Sequence, residues 1–268
     1  MPTEREDKRS PITIQSVERA LAILEVLLRS GRGMTVLDIC SEVNIQRTTS
    51  YALLNTLVAA GYVSKQPKDG KYIVTSKAYE LSASYPARLP IVQYIKPRLL
   101  ELGNRFHVAA RIAVPNYEGR FIPVMSSGSL ESLVIQSLSS TYPPHATSTG
   151  KLALSYLDDE HALQQIRTHG MPRYTPSTIT DEAVLLEELQ TIRKQGYAVD
   201  HAEYFPDTFC LSCPVEGSPH VLSAIITLSH NSKVMDTIWD ELLPAALQCS
   251  RLLSMDISDA ALSNTYIT

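Results

Sequence analysis

Residues Thr35 to Thr75 constrain the fold more than any other stretch of this chain. The run Thr-Val-Leu-Asp-Ile-Cys-Ser-Glu-Val opens it, and Thr35 with Asp38 has the spacing of a capping box at a helix start. Asn44 and Ile45 make a short break. Gln46 to Ala60 then predict a second helix, with Tyr51, Leu54, Leu57 and Val58 on one face. Gly61 suits the left-handed position that stops it. Tyr62-Val63-Ser64 and Tyr72-Ile73-Val74 alternate as strands do, and Lys68-Asp69-Gly70 supplies the turn between them. Two helices, a short turn and a basic hairpin make a winged helix-turn-helix, a shape suited to laying one helix in the major groove of double-stranded DNA.

The side chains at the start of the second helix fit that use. Short hydroxyls reach base edges or phosphates, Gln46 can pair with adenine, and Arg47 can fork onto guanine. Lys65, Lys68 and Lys71 on the wing would hold phosphates without reading sequence. The expected DNA-contacting set is Thr35, Gln46, Arg47, Thr48, Thr49, Ser50, Tyr51, Lys65, Lys68 and Lys71. The other reading of the same segment is a small helical subdomain whose polar face serves protein contacts.

Charge is distributed accordingly. Residues 1–84 carry 11 Lys and Arg against 9 Asp and Glu, the remainder 13 against 19, and together these give the net −4. A mildly basic head on an acidic body suits a chain whose head alone meets phosphate. No apolar stretch is long enough to span a bilayer and no signal-peptide pattern precedes Pro11, so no membrane association is expected. Four cysteines without a disulfide-like framework point to the reducing cytoplasm.

Beyond the wing, Ser76 can cap a helix through Ala78, Tyr79 and Leu81 towards Ser84, and Tyr85-Pro86-Ala87-Arg88-Leu89-Pro90 ends it. Ile91 to Phe106 predicts an amphipathic helix kinked at Pro97. Strands are expected at 108–114, 121–125, 133–138, 197–199, 210–215 and 221–228, and helices at 148–157, 158–168, 181–195 and 234–253. This pattern gives an α+β sheet domain. The expected organisation is a disordered tail (1–10), the winged helix-turn-helix (11–75), a linker helix (76–90), the second domain (91–256) and a C-terminal tail (257–268).

Several motifs resemble the IclR family of bacterial transcription regulators. Ser16-Val17-Glu18-Arg19-Ala20-Leu21 matches its first helix, and Arg47-Thr48-Thr49 its recognition-helix start. Pro144-His145-Ala146-Thr147-Ser148-Thr149-Gly150-Lys151 is similar to its His-Ala-x-x-x-Gly-Lys segment. Thr175 to Asp181 and Gly196-Tyr197-Ala198-Val199-Asp200 match further, so the likeness spans nearly the whole chain in order. The resemblance implies a GAF-like α/β effector-binding fold in the second domain and a homodimer or homotetramer. It further implies a pseudopalindromic operator, no cofactor, and a small organic, aromatic or sugar-derived acid as effector. Its ligand positions fall here on Ser148, Thr149, Asp200, Cys210, Thr227 and Ser229, with Gly150 beside them. Two departures stand out. Tyr51-Ala52 replace a basic residue often found in the recognition helix, and Asp207 stands where a Gly commonly precedes the pocket Cys.

The residues themselves suggest how an acid would be held. Pro143-Pro144 cannot continue a strand, and the helix starting at Ser148-Thr149-Gly150 offers free N–H groups and a positive dipole end to a carboxylate. The other reading of Ser148 is a plain helix cap. Asp200 would accept a hydrogen bond from the ligand or cap a turn. Phe205 and Phe209 flank this region and would favour a flat ligand, or belong to the core. Lys151 is the one basic residue counted near the site.

Cys210-Leu211-Ser212-Cys213 lies in an expected strand with no second such pair, Cys40 and Cys249 are isolated, and His145, His201 and His220 lack metal spacing, so no metal site is expected. Two function classes follow. The favoured one is a ligand-responsive DNA-binding regulator, more a repressor than an activator, of a catabolic operon. The alternative is an enzyme acting on a small organic acid, with Cys210, His145 and Asp200 as nucleophile, base and orienter. No nucleophile elbow, phosphate loop or paired-carboxylate signature supports the alternative.

Overall fold

The structure, a computed structural model, describes residues 13–83, 89–115, 121–127 and 143–259. The chain divides into two compact units, Met1–Tyr85 and Pro86–Thr268.

In the first unit, α1 (Gln15–Ser30), α2 (Val36–Val43) and α3 (Arg47–Ala59) precede a hairpin of β1 (Val63–Lys65) and β2 (Tyr72–Val74). The capping box at α2 forms as expected: the Asp38 amide donates to Thr35 Oγ1 at 3.3 Å, and the Thr35 amide to Asp38 Oδ2 at 2.9 Å. Asn44 turns the chain in the left-handed region at φ 51°, which asparagine tolerates. α3 ends in a Schellman motif, with the Tyr62 amide on the Leu57 carbonyl and the Gly61 amide on the Val58 carbonyl, both at 2.9 Å, and Gly61 at φ 81°. β1 and β2 pair with Val63 opposite Val74, and Met34 bridges to Tyr72 from before α2. Ile23, Leu27, Ile39, Leu54, Leu57, Val63 and Tyr72 form the core between these pieces.

The helix that follows, α4 (Ser76–Ala83), is capped by Thr75 rather than Ser76: the Lys77 amide donates to Thr75 Oγ1 at 3.2 Å. Lys77 Nζ donates to the Ala60 carbonyl at 2.7 Å, so the expected linker helix begins as part of the head.

The second unit is built on one antiparallel sheet with strand order β4-β3-β7-β6-β5, where β3 is Ala109–Pro115, β4 Phe121–Ser127, β5 Ala198–His201, β6 Thr208–Ser218 and β7 Val221–Asn231. The expected strand at 133–138 lies outside the described residues. One face of the sheet packs on α5 (Pro90–Phe106), which continues through Pro97, and on the long α9 (Ser232–Asp259). Ile112, Leu211, Cys213, Val215, Ile226 and Leu228 point that way, with Ile95, Leu99, Leu242 and Leu253 against them. α9 carries Ile257 into this core, so the tail expected from 257 begins inside a helix.

The other face meets α6 (Ser148–Ser155), α7 (Asp159–His169) and α8 (Glu182–Gln195). Here Ala113, Ala198 and Ile225 pack on Leu152, Leu154, Ile166, Leu185 and Leu189. Because side chains alternate along a strand, Arg111, Cys210, Ser212, Thr227 and Ser229 share this face with Ala113 and Ile225. This half of the sheet is therefore apolar at one end and polar at the other.

Candidate functional site

The start of α3 presents Gln46, Arg47, Thr48 and Tyr51 to solvent, with Thr49 half-buried. Arg47 lies over the Tyr51 ring, 5.7 Å from its centroid, with Nη2 3.5 Å from the phenol oxygen. One helical turn separates the two, so Tyr51 carries the Arg47 charge to the place where a basic residue was expected and missing. Ser50 is the correction. It is 0% exposed and its Oγ has no hydrogen-bond partner, so it faces the core rather than a groove. The buried stripe of α3 is Ser50, Leu54 and Leu57, spaced four and three, while Tyr51 and Val58 lie outside it. The expected phase was wrong by one residue.

Thr35 spends its hydroxyl in the capping box, donating to Asp38 Oδ2 at 2.8 Å. On the wing Lys68 is free at the tip and Lys65 is exposed beside the Tyr72 ring at 5.6 Å. Lys71 is more constrained. Its Nζ is 3.7 Å from Asp69, and its stem packs where a Cβ on Gly33 would stand at 3.0 Å.

In the second unit a small cavity, with about 30 Å³ of free space, is lined by Arg111, Ala113, Pro123, Thr147, Ser148, Thr149, Asp200, Cys210 and Thr227. Its wall at α6 begins with Thr147, whose Oγ1 accepts the Gly150 amide at 3.2 Å. Thr147 is therefore the cap. Ser148 is the first helical residue, and the Ser148 and Thr149 amides have no carbonyl of the same helix to bond. Gly150 does not line the cavity. A Cβ there would stand 2.5 Å from Pro144 Cα and 2.6 Å from its oxygen, so glycine lets Pro144 pack on the helix.

The hydroxyls of the cavity form a lattice. Thr149 Oγ1 is 3.0 Å from Thr227 Oγ1 and 3.3 Å from Ser212 Oγ, and Ser212 Oγ is 2.8 Å from Thr227 Oγ1. Ser212 donates to Ser148 Oγ at 2.8 Å, which leaves the Ser148 proton free to donate. Sequence reasoning missed Ser212, although its alternation with Cys210 was readable. Ser229, directly across from Cys210, is fully buried with an unbonded Oγ.

Asp200 pairs across from Cys210, and its Oδ1 accepts the Glu203 amide at 2.7 Å. It caps the turn and lines the cavity at once. Burial pushes its carboxyl up to about 7, against the opposing pull of the Glu203 N–H. Burial also pushes the Cys210 thiol up to about 12. Lys151, 1% exposed, is committed elsewhere, with Nζ 2.5 Å from Glu203 Oε1 and 3.0 Å from Glu188 Oε1. The cation in the cavity wall is instead Arg111, which the sequence reading did not count.

The remaining expected positions do not join this group. His145 is buried with Nε2 3.1 Å from the Pro172 carbonyl, burial lowers its pKa, and it is not part of the cavity wall. Cys213 points into the opposite core, as strand residues three apart must, so Cys210 and Cys213 cannot share a ligand. Among the described residues no group of three His, Cys, Asp or Glu side chains is placed to hold a metal.

Comparison with known proteins decides what this pairing of head and cavity is. The bacterial transcriptional regulator IclR C-terminal model matches residues 83–255, and the IclR helix-turn-helix model matches residues 16–67. The chain belongs to the IclR family of bacterial transcriptional regulators. Among its IclR relatives, the HTH-type transcriptional regulator XynR of Escherichia coli K12 is 28% identical over 246 residues, 90% of this chain and 97% of XynR. The HTH-type transcriptional repressor AllR of the same strain is 27% identical over 217 residues, 80% of this chain and 79% of AllR. A crystal structure of an IclR homolog complexed with 4-hydroxybenzoate, from Microbacterium hydrocarbonoxydans, superposes with a TM-score of 0.69 over 91% of this chain and 98% of that one. At 18% identity that last likeness speaks for the IclR fold alone. Asp207, standing where glycine is common in the family, lies at φ 56°, a region that favours glycine and that aspartate tolerates.

Proposed function

We propose that this regulator represses a catabolic operon and is released from it by a small organic acid, aromatic acids included, bound at the start of α6. The observation that carries this is the lining of the cavity itself. It joins two helix-start amides with no carbonyl of their own helix to the hydroxyls of Ser148, Thr149 and Thr227, an arrangement that seats a carboxylate. The repressor name of AllR and the 4-hydroxybenzoate held by a fold neighbour support the direction and the ligand class. The sheet end carrying Asp200, Cys210 and Ser229 completes the site.

On the head, Gln46, Arg47, Thr48, Thr49 and Tyr51 read the operator, while Thr35, Lys65, Lys68 and Lys71 hold its backbone. A dimer or tetramer presents two heads to a pseudopalindromic operator whose half-sites lie about one helical turn, or a multiple, apart. The protein works in the cytoplasm, and no described helix is long and apolar enough to cross a membrane. Catalysis is not part of the reading. A Cys210 thiol pushed up to about 12 is protonated at neutral pH, and His145 is bonded to Pro172.

Operator binding by fluorescence anisotropy tests the reading. Arg47→Ala weakens operator affinity by roughly 1–3 kcal/mol through a lost base contact. Lys68→Ala instead weakens all sequences alike and flattens the salt slope. Thr149→Val reduces the release produced by the acid and leaves affinity without it unchanged. Equal operator affinity in the Arg47 and Lys68 variants removes the case for this surface.

A further inference from the structure

Arg111 sits in the middle of an apolar strand, Ala109-Ala110-Arg111-Ile112-Ala113-Val114, on the face that carries the cavity. It is 8% exposed, and its Nη2 is enclosed without a hydrogen-bond partner. Its cross-strand neighbours, Thr227 in β7 and Ser126 in β4, bring no charge. Asp200, in the same wall, is occupied by the Glu203 amide, and the nearby glutamates Glu188 and Glu203 are held by Lys151. Among the described residues, then, no carboxylate answers this guanidinium.

A buried lysine can escape such a position by giving up its proton. Arginine cannot, because its guanidinium stays protonated in proteins. With no carboxylate among the described residues to pair it, an anion brought into the cavity would relieve the desolvated charge. The hydroxyl lattice does not ask for one in this way, since Ser148, Thr149, Ser212 and Thr227 already bond one another. The unmet demand in the wall lies with Arg111.

We propose, resting on the reading that this cavity holds the effector, that Arg111 is the counter-ion of the effector's carboxylate. It is the residue that makes the site choose the ionised acid over neutral molecules of the same shape. The planar fork suits a carboxylate, and the α6 amides line the same cavity, so β3 and α6 grip the anion together. The free space is small, about 30 Å³, which restricts the class to compact acids.

The test uses the full chain and the variants Arg111→Met and Arg111→Lys. Thermal unfolding is followed alone and with benzoate, 4-hydroxybenzoate, pyruvate or succinate, each beside its primary amide. Without ligand, Arg111→Met unfolds a few degrees above wild type, because it removes a buried charge that no described carboxylate answers. At least one acid raises the wild-type midpoint and its amide does not. Calorimetry with that acid shows Arg111→Met binding it at least roughly 30-fold more weakly, with Arg111→Lys in between. The proposal is overturned if Arg111→Met is less stable than wild type when empty, if no acid moves the wild-type midpoint, or if amide and acid bind alike. Undiminished acid binding by Arg111→Met also overturns it. Failure of the wild type to bind any operator would sink the regulator reading while leaving the Arg111 test valid.

Discussion

Ser50 shows what one position of phase means on a helix. Its hydroxyl is enclosed and unbonded beside Leu54 and Leu57, so Ser50→Ala removes a desolvated group and improves helix propensity. Chemical denaturation is expected to show equal stability or a gain of up to about 1 kcal/mol, and operator affinity stays the same. A clear loss of operator affinity would return Ser50 to the DNA face. Asp200 makes a second prediction, in pH. Its carboxyl is raised to about 7, so between about pH 4 and that value the folded chain keeps a proton that the unfolded chain releases. The stability it contributes therefore falls as pH rises through this window and is flat above it. Asp200→Asn keeps an acceptor for the Glu203 amide and removes the slope. At pH 8 the variant should be more stable than wild type, with about 4 kcal/mol as an upper bound. Parallel pH profiles for the two proteins would show that the carboxylate is not strained.

At the scale of elements, α6 depends on a contact that its own sequence only hints at. Gly150→Ala drives a Cβ into Pro144, costs roughly 1–3 kcal/mol of stability, and moves the helix start that offers the amides. Calorimetry should therefore show acid affinity and melting temperature falling together, and unaltered binding would detach the seat from this packing. What the sequence revealed and what it hid divide along the same line. The capping box at Thr35, the Gly61 stop and the hairpin turn were readable because each rests on residues within a few positions. Arg111 and Ser212 were missed because their meaning comes from strands far apart in sequence, where Ser212, Thr227 and Arg111 fall in one row across β6, β7 and β3. Ser148 was within reach of local reasoning, but one residue's shift in the cap, to Thr147, changed its role.

For the molecule as a whole, α1 carries apolar residues outside as well as inside. Ile23, Val26 and Leu27 face inward, while Ile14, Val17, Leu21 and Leu28 stay exposed, with Leu24 half-buried between them. Spacings of three and four along that outer stripe are those of a helix that pairs with its own copy. Light scattering is expected to show at least a dimer at micromolar concentration, and Leu21→Lys should weaken it and lower operator affinity. A wild-type monomer would end this account of the stripe. The two-sided sheet has an outcome of a different kind. Every second residue of β3, β6 and β7 belongs to the core beneath α5 and α9, and the residues between them include Arg111, Cys210 and Thr227 of the cavity wall. Substitutions at Arg111, Ser212 or Thr227 can thus retune chemical taste without disturbing the foundation on the far side. A lineage built this way can change diet faster than it changes shape, and a library confined to those alternate positions is where a new biosensor would begin.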